Sequence, residues 1–167
     1  VGRSGCGGAF AAVVKEGDWN MLHMLLKRGV RVPNVVTGCR SYLWSNPDMT
    51  RVLLENGMDP NLPDWQHVTP LHDLCSDQDK SDESRLVLAD LFLEFGADIN
   101  AKDEEYRSTP LGWAARCGIE EMVVYLLARG GKIQLPDDAP WATPLAWVKK
   151  RGHKKIADIL ARYEKKK

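Results

Sequence analysis

The chain has 167 residues, enough for one domain of ordinary size. Its 23 basic and 23 acidic side chains cancel, which argues against a general nucleic-acid binder, because such a protein needs a basic stripe to displace counterions. No apolar run approaches the ~18–20 residues that span a bilayer, and the four cysteines, Cys6, Cys39, Cys75 and Cys117, have no zinc-site spacing.

The first eight residues, Val1 to Gly8, are glycine-rich and patternless. They read as a flexible lead-in rather than a phosphate loop, which would need a preceding strand and a Gly-Lys-Ser/Thr ending. From Ala9 onward two landmarks alternate. One closes an amphipathic run: Leu25-Leu26-Lys27-Arg28-Gly29, Leu53-Leu54-Glu55-Asn56-Gly57, Phe92-Leu93-Glu94-Phe95-Gly96 and Leu126-Leu127-Ala128-Arg129-Gly130. Glycine adopts a left-handed conformation cheaply, so each marks a helix C-terminus. The other opens a helix: Thr69-Pro70-Leu71, Thr109-Pro110-Leu111 and Thr143-Pro144-Leu145, with offsets of 40 (109 − 69) and 34 (143 − 109). Threonine caps free N–H groups, and proline is tolerated at the first helical position because its missing N–H has no partner there. Recurrence at this spacing is the signature of a solenoid.

The spacing is irregular. About six extra residues fall at Ser76 to Asp82, a polar, acidic stretch that reads as a loop between two helices. The unit between Gly29 and Gly57 is short, and its first helix falls somewhere in Cys39 to Trp44. The segments before Thr109 and Thr143 are one residue longer than the one before Thr69, measured from Asp103, Asp137 and Asp64.

This order of parts resembles the ankyrin repeat, on Thr69-Pro70-Leu71-His72, the run Gly96 to Asp103, Gly152-His153, and Ala114-Ala115 with Gly118. The resemblance covers about five repeats over residues 9–163, approximately 9–33, 34–61, 62–100, 101–134 and 135–163, with a basic tail at 164–167. It implies an all-α repeat solenoid with two antiparallel helices per repeat and β-hairpin fingers between repeats. It also implies a curved stack with fingers and first helices on the concave side. His72 and His153 match positions where the family uses histidine structurally, the first bonding back to its threonine and to the neighbouring finger.

No nucleophile–base pair or metal set is legible, so no catalytic, cofactor-binding or metal residue is assigned. Cys75 aligns with Ala115 and reads as a small buried hydrophobe, with a mild preference for a reducing compartment, the cytoplasm. The aromatic residues are the better lead. Trp113 and Trp147 each follow their threonine by four places, where Asp73 stands one repeat earlier. In the ankyrin pattern that the chain resembles, this place lies beside the concave surface, which predicts a tryptophan stripe of ~10 Å pitch. Trp65, His67, Tyr106, Arg107 and Trp141 fall in the fingers, where a large aromatic has no core to fill. Asp64, Asp103, Glu104, Glu105, Asp137 and Asp138 predict an acidic finger edge. Arg107, Arg116, Lys149, Lys150 and Arg151 predict a basic border.

The sequence therefore predicts a non-catalytic, monomeric scaffold that binds a protein or peptide, and neither nucleic acid nor membrane. Its partner-binding residues are Trp65, His67, Asp73, Tyr106, Arg107, Trp113, Trp141 and Trp147. The alternative reading is a structural or regulatory module cut from a larger protein.

Overall fold

A computed structural model describes residues 6–32, 46–63, 66–76 and 81–165, and the chain divides into two compact units, Val1–Leu62 and Pro63–Lys167. Among the described residues every regular element is a helix and none is a strand.

The first unit holds α1 (Cys6–Glu16), α2 (Trp19–Lys27) and α3 (Pro47–Glu55). Helix α1 begins three residues ahead of the expected domain boundary at residue 9. It packs on α2, and Phe10, Val13, Val14 and Leu22 are buried. Both later helices open on a side-chain cap: Asp18 accepts from the Met21 N–H, and Asn46 accepts from the Met49 N–H with Pro47 at the first helical position. Helix α3 buries Met49, Leu53 and Leu54. The helix expected within Cys39–Trp44 lies outside the described residues.

The second unit contains three helix pairs: α4 (Pro70–Leu74) with α5 (Asp82–Glu94), α6 (Pro110–Cys117) with α7 (Glu120–Ala128), and α8 (Pro144–Arg151) with α9 (Lys154–Glu164). Every Thr-Pro pair opens a helix. Thr109 Oγ1 accepts from the Gly112 N–H at 3.3 Å, and Thr143 Oγ1 from the Ala146 N–H at 3.2 Å. The glycines after the second helices, Gly57, Gly96 and Gly130 among them, all take positive φ, as a left-handed helix stop requires. First helices α4, α6 and α8 pack in one layer, and α5, α7 and α9 in a second.

The core follows the repeat register. Leu71 and Leu111, two places after their threonines, are buried, as are Leu74, Ala114 and Val148 at five places. Cys75 and Ala115 are both fully buried, and burial pushes the Cys75 thiol pKa well above its ordinary range. The long turn of the third repeat ends on a cap: Ser81 Oγ accepts from the Ser84 N–H, so α5 starts at Asp82 and the expected loop is shorter at that end. Residues 77–80 lie outside the described residues.

Candidate functional site

The finger before α6 is a tight turn held largely by side chains. In the turn before α6, the Asp103 N–H donates to the Ser108 carbonyl at 3.2 Å. The Asp103 carboxylate accepts from three sides: the Ser108 N–H at 2.9 Å, the Tyr106 N–H at 2.6 Å and the Trp113 Nε1–H at 2.9 Å. Asp103 is only 2% exposed. Charge-assisted bonds from several N–H groups are what make such a burial tolerable.

Ser108 extends the network along the array. Its hydroxyl donates to the Ala142 carbonyl at 2.6 Å and accepts from the Trp147 Nε1–H at 3.0 Å. On the other side its carbonyl accepts from His72 Nε2 at 3.0 Å, while His72 Nδ1 accepts from the Thr69 N–H at 3.2 Å and lies 2.9 Å from Thr69 Oγ1. That set of partners assigns the Nε2–H tautomer to His72. The expected tie from histidine to threonine and next finger is therefore present. His153 makes a similar link, with Nε2 at 3.2 Å from the Arg116 carbonyl.

These bonds correct the picture of an open tryptophan stripe. Trp113 is 8% exposed and Trp147 4%. Each indole N–H reaches a buried acceptor in a finger, which turns the ring under the finger instead of out to solvent. Tyr106 lies against both, edge-on to Trp113 at 5.4 Å and to Trp147 at 5.7 Å between ring centroids. A hydrogen bond to Glu105 and partial burial raise the Tyr106 hydroxyl pKa, with Arg116 opposing. The Arg116 guanidinium sits 4.1 Å above the Tyr106 ring.

The finger tips themselves stay open. His67, Arg107 and Trp141 are exposed, Trp141 at 53%. His67 and Arg107 each stand two residues before a capping threonine, and both hold positive φ, +56° and +48°. Left-handed backbone costs a non-glycine residue roughly 1 kcal/mol or more. Adjacent fingers are joined there: the Glu104 N–H donates to the Gln66 carbonyl at 2.8 Å, and His67 Nδ1 lies 2.6 Å from Glu104 Oε1. Asp73 is half-buried on α4. Trp65 and Asp64 lie outside the described residues.

The expected acidic edge is thinner than the sequence suggests. Asp103 is internal, and Asp138, its side chain 7% exposed, accepts from the Leu135 N–H and pairs with Lys102 at 2.7 Å. Lys102 also pairs with Asp137 at 2.8 Å, and its ammonium holds that carboxyl below the usual range. Glu104 and Glu105 remain exposed.

Two residues of this network, Ser108 and Gly112, are not singled out by the sequence, which places Asp103 only on the acidic edge. A Cβ on Gly112 would stand 2.1 Å from Ser108 Oγ, so glycine is what admits the hydroxyl beside α6. The available signal was a glycine inside a helix, which usually has a packing reason, together with two indole N–H groups that each need an acceptor.

Among the described residues no three His, Cys, Asp or Glu side chains converge to hold a metal ion, and no helix is long and apolar enough to cross a membrane.

Comparison with known proteins agrees with this architecture. The family model described as ankyrin repeats in three copies matches residues 42–137, more than half of the chain. Potassium channel SKOR of Arabidopsis thaliana is 38% identical over 89 residues, 53% of this chain and 10% of the channel. Palmitoyltransferase Hip14 of Drosophila melanogaster is 38% identical over 87 residues, 52% of this chain and 13% of that protein. Palmitoyltransferase ZDHHC17 of Homo sapiens is 34% identical over 87 residues, again 13% of its length. The match thus spans about a tenth of the length of these relatives. With its Thr-Pro-capped helix pairs and glycine stops, this chain belongs to the ankyrin-repeat family.

Proposed function

We propose that the chain is a non-catalytic scaffold that binds a protein or peptide through its finger tips and first helices, the concave groove of the family fold. Ankyrin repeats generally mediate protein–protein interaction, and the fold itself is a non-catalytic one. One observation carries the placement. His67 and Arg107 occupy the same position of successive fingers, both exposed and both in left-handed backbone that glycine would hold more cheaply. Strain of this kind collects where a side chain serves a ligand rather than the fold.

In this reading His67, Arg107, Tyr106, Trp141 and Trp65 meet the partner, with Asp73 as a polar contact on α4. Trp113 and Trp147 serve from beneath, holding Tyr106 and the fingers in place. A preformed surface limits the entropy lost on docking. The scaffold acts as a single chain in the cytoplasm. Because the match covers only about a tenth of the channels and palmitoyltransferases, a second reading is compatible: the repeats are the interaction module of a larger protein.

Panning a phage-displayed random peptide library on the purified chain tests the proposal. Selected peptides should bind the chain and lose at least tenfold in affinity for the His67→Ala/Arg107→Ala/Trp141→Ala variant. Peptides that bind this variant as tightly as the parent would place the binding surface elsewhere.

A further inference from the structure

We propose that Arg116 and Lys150 form a carboxylate-binding site beside the fingers, and that the segment docked there is an acidic peptide. The inference rests on the peptide-binding reading and adds the chemistry of the partner.

The two residues are equivalent by register. Arg116 follows Thr109 by seven places and Lys150 follows Thr143 by seven, so they stand one repeat apart in the last turns of α6 and α8. Both cations converge on one ring. Arg116 Cζ lies 5.5 Å from the Trp147 centroid and Lys150 Nζ lies 5.2 Å from it. Arg116 is held harder, with its Cζ only 4.1 Å from the Tyr106 centroid and its Nε buried without a hydrogen-bond partner among the described residues.

Lys102, Arg129 and Lys155 each pair with a carboxylate of the same unit. Among the described residues no carboxylate lies within ion-pair distance of Arg116 or Lys150. The Tyr106 ring, 4.1 Å from Cζ, restrains the guanidinium, whose rigid fork of N–H groups suits a bidentate acceptor. Lys150 adds a second, mobile charge. The ordering cost of the arginine is thereby met before the ligand arrives.

The charge environment favours a carboxylate over a phosphate. Helix C-termini carry partial negative charge, and both cations sit in last turns. The exposed Glu105 carboxylate acts on the Tyr106 hydroxyl strongly enough to raise its pKa, and the Tyr106 ring carries Arg116. These negative groups oppose a dianion more than a monoanion.

The test uses fluorescein-labelled peptides from the same library selection, titrated by anisotropy against the whole chain. Acidic side chains should be enriched at a fixed position. Replacing that Asp or Glu by Asn or Gln should weaken binding at least tenfold, and the Arg116→Gln/Lys150→Gln variant should lose a similar factor. The two changes together should cost little more than either alone. Lys150→Gln by itself, at an exposed site, should show part of the loss with the melting curve unchanged. Selected peptides that bind Arg116→Gln/Lys150→Gln within twofold of the parent would overturn the inference while leaving the peptide-binding reading intact. A phosphoserine at the same peptide position that binds more tightly than the carboxylate would overturn the carboxylate assignment. If no peptide is selected at all, the peptide-binding reading falls and this inference falls with it.

Discussion

Gly112 stands in the first turn of α6, its N–H capped by Thr109, at a place where nothing in the helix itself calls for glycine. It persists because Ser108 Oγ fills the space a Cβ would need and there bonds both Ala142 and Trp147. Gly112→Ala should therefore destabilise by about 2–3 kcal/mol in urea unfolding, the cost of overpacking plus a displaced buried hydroxyl. Adding Ser108→Ala removes the obstacle, so the double variant should lose less than the sum of the two single losses. Arg107 offers the opposite case. Arg107→Gly should stabilise by about 0.5–1 kcal/mol by relieving its positive φ. The same change should weaken peptide binding, which would set stability against function at one residue. Cys75 is buried with its thiol pushed up, whereas Cys117 is half-buried. Under native conditions iodoacetamide should modify Cys117 and spare Cys75, as peptide mapping by mass spectrometry would report.

At the scale of elements, the helix boundaries were legible because their chemistry is local. A threonine cap, a proline at the first position and a glycine stop act within three or four residues, and α6 and α8 begin where those signals place them. The orientation of the tryptophans was not legible for the opposite reason. Trp147 is aimed by Ser108, 39 residues earlier, and Trp113 by Asp103, 10 residues earlier. Position four after the threonine indicates a side of the helix, but only the partner decides whether a ring on that side faces water or the finger. The sequence places Asp103 on a charged edge because an aspartate in a turn is ordinarily solvated. Its burial depends on three donors that come together only in the folded finger. The ties between repeats are just as non-local. His72 joins α4 to the finger before α6. His72→Leu keeps most of the volume but leaves the Thr69 N–H and the Ser108 carbonyl without this partner. It should cost about 2–4 kcal/mol, measured by the shift in the urea midpoint at constant slope.

At the scale of the molecule, the Thr-Pro-Leu copies index two kinds of position. Those that recur in chemistry, such as the capping threonines and the buried leucines and alanines, carry the array. Those that vary, from Asp73 and Trp113 at the fourth place to His67 and Arg107 in the fingers, set what the array presents. Burial divides this second group again: the tryptophans brace the fingers from within, and His67, Arg107 and Trp141 at the finger tips are exposed. In the proposed scaffold, support and recognition are separable on this surface. Thermal unfolding of the Arg107→Ala/Trp141→Ala variant, with and without a selected peptide, tests it most directly. A peptide at a hundred times its Kd stabilises the folded parent by about 2.7 kcal/mol, or roughly 5–10 °C for a chain of this size. The variant should melt with the parent when free, and the peptide should no longer shift it. A variant that melts well below the parent, or one that the peptide still shifts in full, would contradict it.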